Sequence, residues 1–88
     1  MSTVDEYVES IRVSCTSSRT FTVILKPGKV GEVFDRVMAK GRVVLNLGGA
    51  MVRVRFGDVK VTLFRNGRMV LQGIEEREVK GFLSRILA

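Results

Sequence analysis

Met51 to Gly73 reads MVRVRFGDVKVTLFRNGRMVLQG. Three β-rich runs are separated by two turn signals, Gly57-Asp58 and Asn66-Gly67. An Asn-Gly pair between alternating residues marks a two-residue hairpin, because both turn positions then need φ > 0 and these residues accept it cheaply. Gly57-Asp58 suits the other primed turn, with glycine first. The stretch therefore reads as an antiparallel meander with strands at 51–56, 59–65 and 68–73.

Side chains alternate across a strand, so each run assigns its own faces. Val52, Val54, Phe56, Val59, Val61, Leu63, Met69 and Leu71 point to one side. Met51, Arg53, Arg55, Lys60, Thr62, Phe64, Arg68, Val70 and Gln72 point to the other. The first set is a core face. The second is basic, with apolar residues interleaved.

Upstream, IRVSCT (11–16) alternates Ile11, Val13 and Cys15 with polar residues, the period of a half-buried strand. Ser17, Ser18 and Arg19 break it. TFTVIL (20–25) is a second, β-branched strand, and the two form a hairpin. Residues 3–10 are acidic and read as a short helical turn capped by Ser2 or Thr3, or as a frayed lead-in. Pro27-Gly28 ends the second strand. Val30, Val33, Phe34, Val37 and Met38 then fall on one stripe of a helix over 29–40, with Gly41 as its C′ residue. RVVLNL (42–47) is another strand, and Gly48-Gly49 a turn or bulge. Parity places Val43, Leu45 and Leu47 on the core face. A second helix spans 75–87, with Val79, Phe82, Leu83, Ile86 and Leu87 as its apolar stripe and Glu75, Glu76 and Glu78 in its first turn. Gly81 inside it suits a close approach to the sheet. The order is ββαββββα. The expected fold is α+β: an antiparallel sheet of five to six strands with two helices on one face, in one domain over 1–88.

Composition sets limits on function. The chain has 88 residues, 45% of them apolar, enough for one modest core. No apolar run approaches the ~20 residues that span a bilayer, and the acidic N-terminus has no apolar signal region. No membrane partner and a cytoplasmic location are the expectation. Cys15 is the single cysteine, which excludes an intrachain disulfide and reads as a buried structural thiol. Histidine is absent, which removes the usual neutral-pH base and the commonest metal ligand. No phosphate-loop motif, metal-ligand cluster or nucleophile–base set is present, and Asp35 and Asp58 show no pairing, so no enzyme, catalytic residue, metal or cofactor is expected. Pro27-Gly28-Lys29-Val30-Gly31 precedes a helix and reads as a plain strand-to-helix turn rather than an anion site. Abundant Arg, Val and Gly with one Pro and no Trp points to a thermophilic source.

Fifteen Lys+Arg against nine Asp+Glu give a net charge of +6, a balance that suits DNA, RNA or another anionic partner. The candidate nucleic-acid-binding residues are Arg53, Arg55, Lys60, Thr62, Phe64 and Arg68. Cations meet phosphates, and the apolar groups between them meet bases. The same cations also read as solubilising charges that blunt strand edges. Met51, Phe64 and Val70 read alternatively as the centre of a homodimer or partner surface.

VKVTLFRNGRMVLQG (59–73) resembles the repeat of the TATA-box-binding protein family, whose strand pair has the form T-x-L-I-F-x-S-G-K-M-V-x-T-G and precedes an amphipathic helix. Thr62, Leu63, Phe64, Asn66, Gly67, Arg68, Met69, Val70 and Gly73 match or nearly match. MVRVR (51–55) is similar to the family's apolar-Arg-apolar-Arg strand. The likeness covers 42–88 in motif and 20–88 in element order, as one copy where the family has two. It implies a TATA-box-binding protein-like sheet that holds DNA on its open face, a homodimer supplying the second half. The family's DNA-kinking pair of phenylalanines falls on Phe64 and Leu47. Two departures stand out: neither IRVSCT nor TFTVIL carries the family's minor-groove asparagine, and the N-terminal strand is extra.

Overall fold

The computed structural model describes residues 3–15 and 19–87, without the side chains of residues 3, 14 and 15. The side chain of Cys15, the break at Ser17 and Ser18 and the Ser2 or Thr3 cap lie outside the described residues. The elements run α1 (Thr3–Tyr7), β1 (Val8–Cys15), β2 (Thr20–Leu25), α2 (Val30–Lys40), β3 (Arg42–Asn46), β4 (Met51–Phe56), β5 (Val59–Phe64), β6 (Arg68–Gln72), a 3-10 turn (Glu76–Glu78) and α3 (Val79–Leu87). One antiparallel sheet holds the six strands in the order β1-β2-β6-β5-β4-β3. The fold is α+β, with three helices rather than two. None of them is long and apolar enough to cross a membrane.

The helices share one side of the sheet because each has one apolar stripe to bury. Val33, Phe34 and Val37 of α2 and Val79, Phe82, Leu83, Ile86 and Leu87 of α3 are buried against Phe21, Val23, Leu25, Val52, Val54, Val61, Leu63, Met69 and Leu71. The Phe56 and Phe82 rings meet edge to face at 5.5 Å and 89°. Arg36 and Lys40 of α2 donate to the Leu87 and Arg85 carbonyls, satisfying acceptors that the end of α3 leaves open.

The third helix is α1, the short helical turn rather than the frayed lead-in of the two readings of 3–10. Val4 and Tyr7 enter the core, and the Tyr7 ring lies under Lys29 Nζ at 5.6 Å and the Arg36 guanidinium at 5.3 Å. Burial, and then a hydrogen bond to Glu32, push the Tyr7 hydroxyl above its ordinary pKa. β1 starts at Val8, three residues before the alternating run, with bulges between Val8 and Ser10 and between Val13 and Cys15. Ile11 packs at the rim of the core, but Val13 is 46% exposed, because it lies at the sheet edge beyond helix cover.

Both turns of the meander keep its faces in register. Gly57 has φ +61 while Asp58 stays at negative φ, the pattern of a two-residue turn with glycine first. The second turn differs from the two-residue Asn-Gly expectation. Arg65, Asn66 and Gly67 form a three-residue loop in which Gly67 alone has positive φ, at +97. Gly67 N donates to Phe64 O and Arg68 N to Asn66 Oδ1. The third residue sets Leu63 opposite Met69, so both enter the core.

Two glycines play other parts than expected. Gly41 closes α2 with φ −108 and ψ 179, so no left-handed cap is formed. It must be glycine for space: a Cβ there would lie 2.3 Å from Val54 Cγ1 and 2.6 Å from Phe56 Cζ. Gly81 makes no close approach, since a Cβ there would meet nothing within 4 Å. The second helix also begins later than 75. Glu75 is extended and residues 76–78 form the 3-10 turn that leads into α3.

Candidate nucleic-acid interface

With the helices on one side, the other side of the sheet carries no element among the described residues. Phe64 is half-buried there and belongs to neither the core nor its packed rim. Strand pairing sorts the open face into rows that cross the strands. In the first row Arg42 stands opposite Arg55, Arg55 opposite Lys60, Lys60 opposite Gln72 and Gln72 opposite Thr20. In the second, Leu45, Arg53, Thr62, Val70, Thr22 and Arg12 follow one another from β3 to β1. In the third, Met51 pairs with Phe64, and Arg68 with Ile24.

All six sequence-predicted residues, Arg53, Arg55, Lys60, Thr62, Phe64 and Arg68, therefore share this face. They divide between rows: Arg55 and Lys60 in the first, Arg53 and Thr62 in the second, Phe64 and Arg68 in the third. Thr62 is buried at 4% exposure in the middle of the face. Its Oγ1 accepts from Arg53 Nε at 3.4 Å, which lays the Arg53 side chain along the sheet. Thr62 thus acts as a support for Arg53 more than as a contact surface. Arg55 Nε donates to Gly57 O at 3.2 Å.

A bulge in β3 corrects the expectation for Leu45 and Leu47. Val43 pairs with Val54 and Leu45 with Arg53, so Val44 is the extra residue. The insertion falls at Val44 rather than at Gly48-Gly49. It moves Leu45 from the core face to the open face. Continuing the same register, Leu47 N donates to Met51 O, which sets Leu47 beside Met51 in the third row. Leu45 is 37% exposed and Leu47 54%. Leu47, Met51 and Phe64 thus make one apolar end to the face.

Arg42 and Arg12 complete the cationic part. Neither was singled out from sequence, because only cross-strand register brings Arg42 against Arg55 and Arg12 beside Thr22. The carboxylates lie elsewhere. Asp5, Glu6, Glu32, Asp35, Glu75, Glu76 and Glu78 belong to the helices or their approaches, and Glu9 stands at the bulge between Val8 and Ser10 in β1, at the opposite edge of the sheet from β3. Asp58 sits in the β4–β5 turn and pairs with neither Arg55 nor Lys60. Among the described residues the ion pair Arg19–Glu75 is outside these rows. Arg65 is committed to structure: its Nε donates to Gly49 O and its guanidinium lies 5.6 Å from the Phe34 ring.

Like charges directly opposite on neighbouring strands are destabilising. The first row holds two such contacts in succession. An anion laid along Arg42, Arg55 and Lys60 removes that repulsion, with the second-row Arg53 within reach of the same ligand. No family model, curated protein or solved structure matches the chain.

Proposed function

We propose that the protein is a non-enzymatic binding module that holds nucleic acid on its open sheet face, in a TATA-box-binding protein-like arrangement of sheet and helices. The observation that carries this reading is the uninterrupted cationic row Arg42–Arg55–Lys60, free of carboxylates, with Arg53 in the next row and the apolar Leu47, Met51 and Phe64 beyond it. Phosphates neutralise the row and release counterions, and Phe64 with its neighbours meets bases. Fluorescence anisotropy with labelled duplex and single-stranded DNA and RNA tests it across a salt series. Binding that weakens linearly in log–log form as salt rises supports the proposal, with the Arg53→Ala, Arg55→Ala double variant folded and weakened. Folded protein that binds neither form at about 50 mM salt rules it out.

One observation favours a second reading, self-association. Val43, Val44, Leu45 and Leu47 are 37–54% exposed along the β3 edge. Two open faces stacked on one another would oppose their cations, so a second copy docks better along β3 than across the face. Light scattering distinguishes the two: a concentration-dependent dimer abolished by Leu45→Ser, Leu47→Ser supports the edge contact, and a monomer at all concentrations removes it.

A further inference from the structure

We infer that the ligand of the open face is one single strand of nucleic acid, lying across the strands, rather than a duplex. This rests on the nucleic-acid reading above. The argument is the one-sidedness of the charge. Cations occupy the first row and, through Arg53, the second. The third row is Leu47, Met51 and Phe64, with a single cation, Arg68, next to Phe64 on β6. From Arg55 to Met51 the chain advances four residues along β4, roughly 13 Å of strand.

A duplex presents two phosphate backbones to any surface that spans a groove. Here one backbone would find Arg42, Arg55 and Lys60. The other would lie over leucine, methionine and the Phe64 ring, which take water from phosphates and offer no donor in return, with Arg68 alone to meet it. A single strand has one backbone and unstacked bases. Its phosphates follow the cationic row, and its bases lean across Arg53 onto the apolar row, where the Phe64 ring offers a stacking surface open to any base. The buried Thr62 between the rows keeps Arg53 flat, which leaves the middle of the face passable. The rows run perpendicular to the strands, so the bound chain crosses β3, β4 and β5 in turn.

The experiment compares labelled oligo(dT) and oligo(rU) of about 16 nucleotides with a DNA duplex of the same length, by anisotropy against salt. The expected result is single-strand binding at least about tenfold tighter than duplex binding, the two oligonucleotides showing whether DNA or RNA is preferred. Arg42→Ala and Arg55→Ala should each flatten the single-strand salt dependence by about 0.7 in log–log slope. Phe64→Ala should weaken binding roughly five- to hundredfold at unchanged slope. Phe64→Leu keeps an apolar side chain and removes the ring; it should fold as the parent does and bind as weakly as Phe64→Ala. Duplex binding as tight as single-strand binding overturns this inference and leaves the nucleic-acid reading standing. So does a Phe64→Leu protein that binds single strands like the parent. Absence of binding to all three probes overturns both.

Discussion

Arg42 and Arg55 face each other across the β3–β4 pair on the open side of the sheet, and Arg55 in turn faces Lys60. Three exposed cations in one cross-strand row oppose folding while the face is empty. The repulsion is a feature that a packed core has to offset and that an anionic ligand relieves.

This gives a stability signature opposite to the binding one. Arg55→Thr removes both like-charge contacts and places a β-branched residue in the strand. It should raise stability by about 0.5–1 kcal/mol at low ionic strength, with the gain shrinking as salt screens the parent's repulsion. Urea unfolding at two salt concentrations measures this. Equal stability of parent and variant at low salt would show that the row carries no strain.

Gly41 is held by space. Its missing Cβ would crowd Val54 Cγ1, a core side chain, and the edge of the Phe56 ring, which packs against Phe82. Gly41→Ala should destabilise the protein by about 1–3 kcal/mol through displacement of these side chains. A thermal or urea midpoint unchanged by the substitution would mean that β4 shifts freely, contrary to the packing described.

Gly81 offers the reverse. It is an exposed residue inside α3 with open space where a Cβ would stand. Gly81→Ala should stabilise by about 0.4–1 kcal/mol, from helix propensity and a less flexible unfolded chain. A loss of stability on urea titration would place an unrecognised neighbour at that site.

Tyr7 links α1 to α2 and its hydroxyl titrates above the ordinary value, mainly through burial. The folded state then holds the phenolic proton more tightly than the unfolded state, so this contribution to stability is complete below about pH 10 and declines above it. Unfolding free energies for the parent should fall more steeply above about pH 10 than those for Tyr7→Phe. Parallel curves for the two proteins would mean that Tyr7 is not buried in the folded state.

Local periodicity decided much of this molecule. The alternation in the runs read as strands at 51–56, 59–65 and 68–73 assigned Arg53, Arg55, Lys60, Thr62, Phe64 and Arg68 to one face, because the side-chain period of a strand does not depend on its neighbours. The stripes in 30–40 and 79–87 marked the helix faces that bury against the sheet for the same reason. Tertiary structure decided the rest. RVVLN has an apolar run without alternation, and every residue of β3 is exposed, so no burial pattern marks its faces. A single inserted residue at Val44 then settles which side Leu45 and Leu47 take, since a shift of one reverses every side chain that follows. The Arg42–Arg55–Lys60 row exists only through pairing between strands, and the crowding at Gly41 only through contact with Val54 and Phe56. Register and close approach are relations between distant segments, and no single segment encodes them alone.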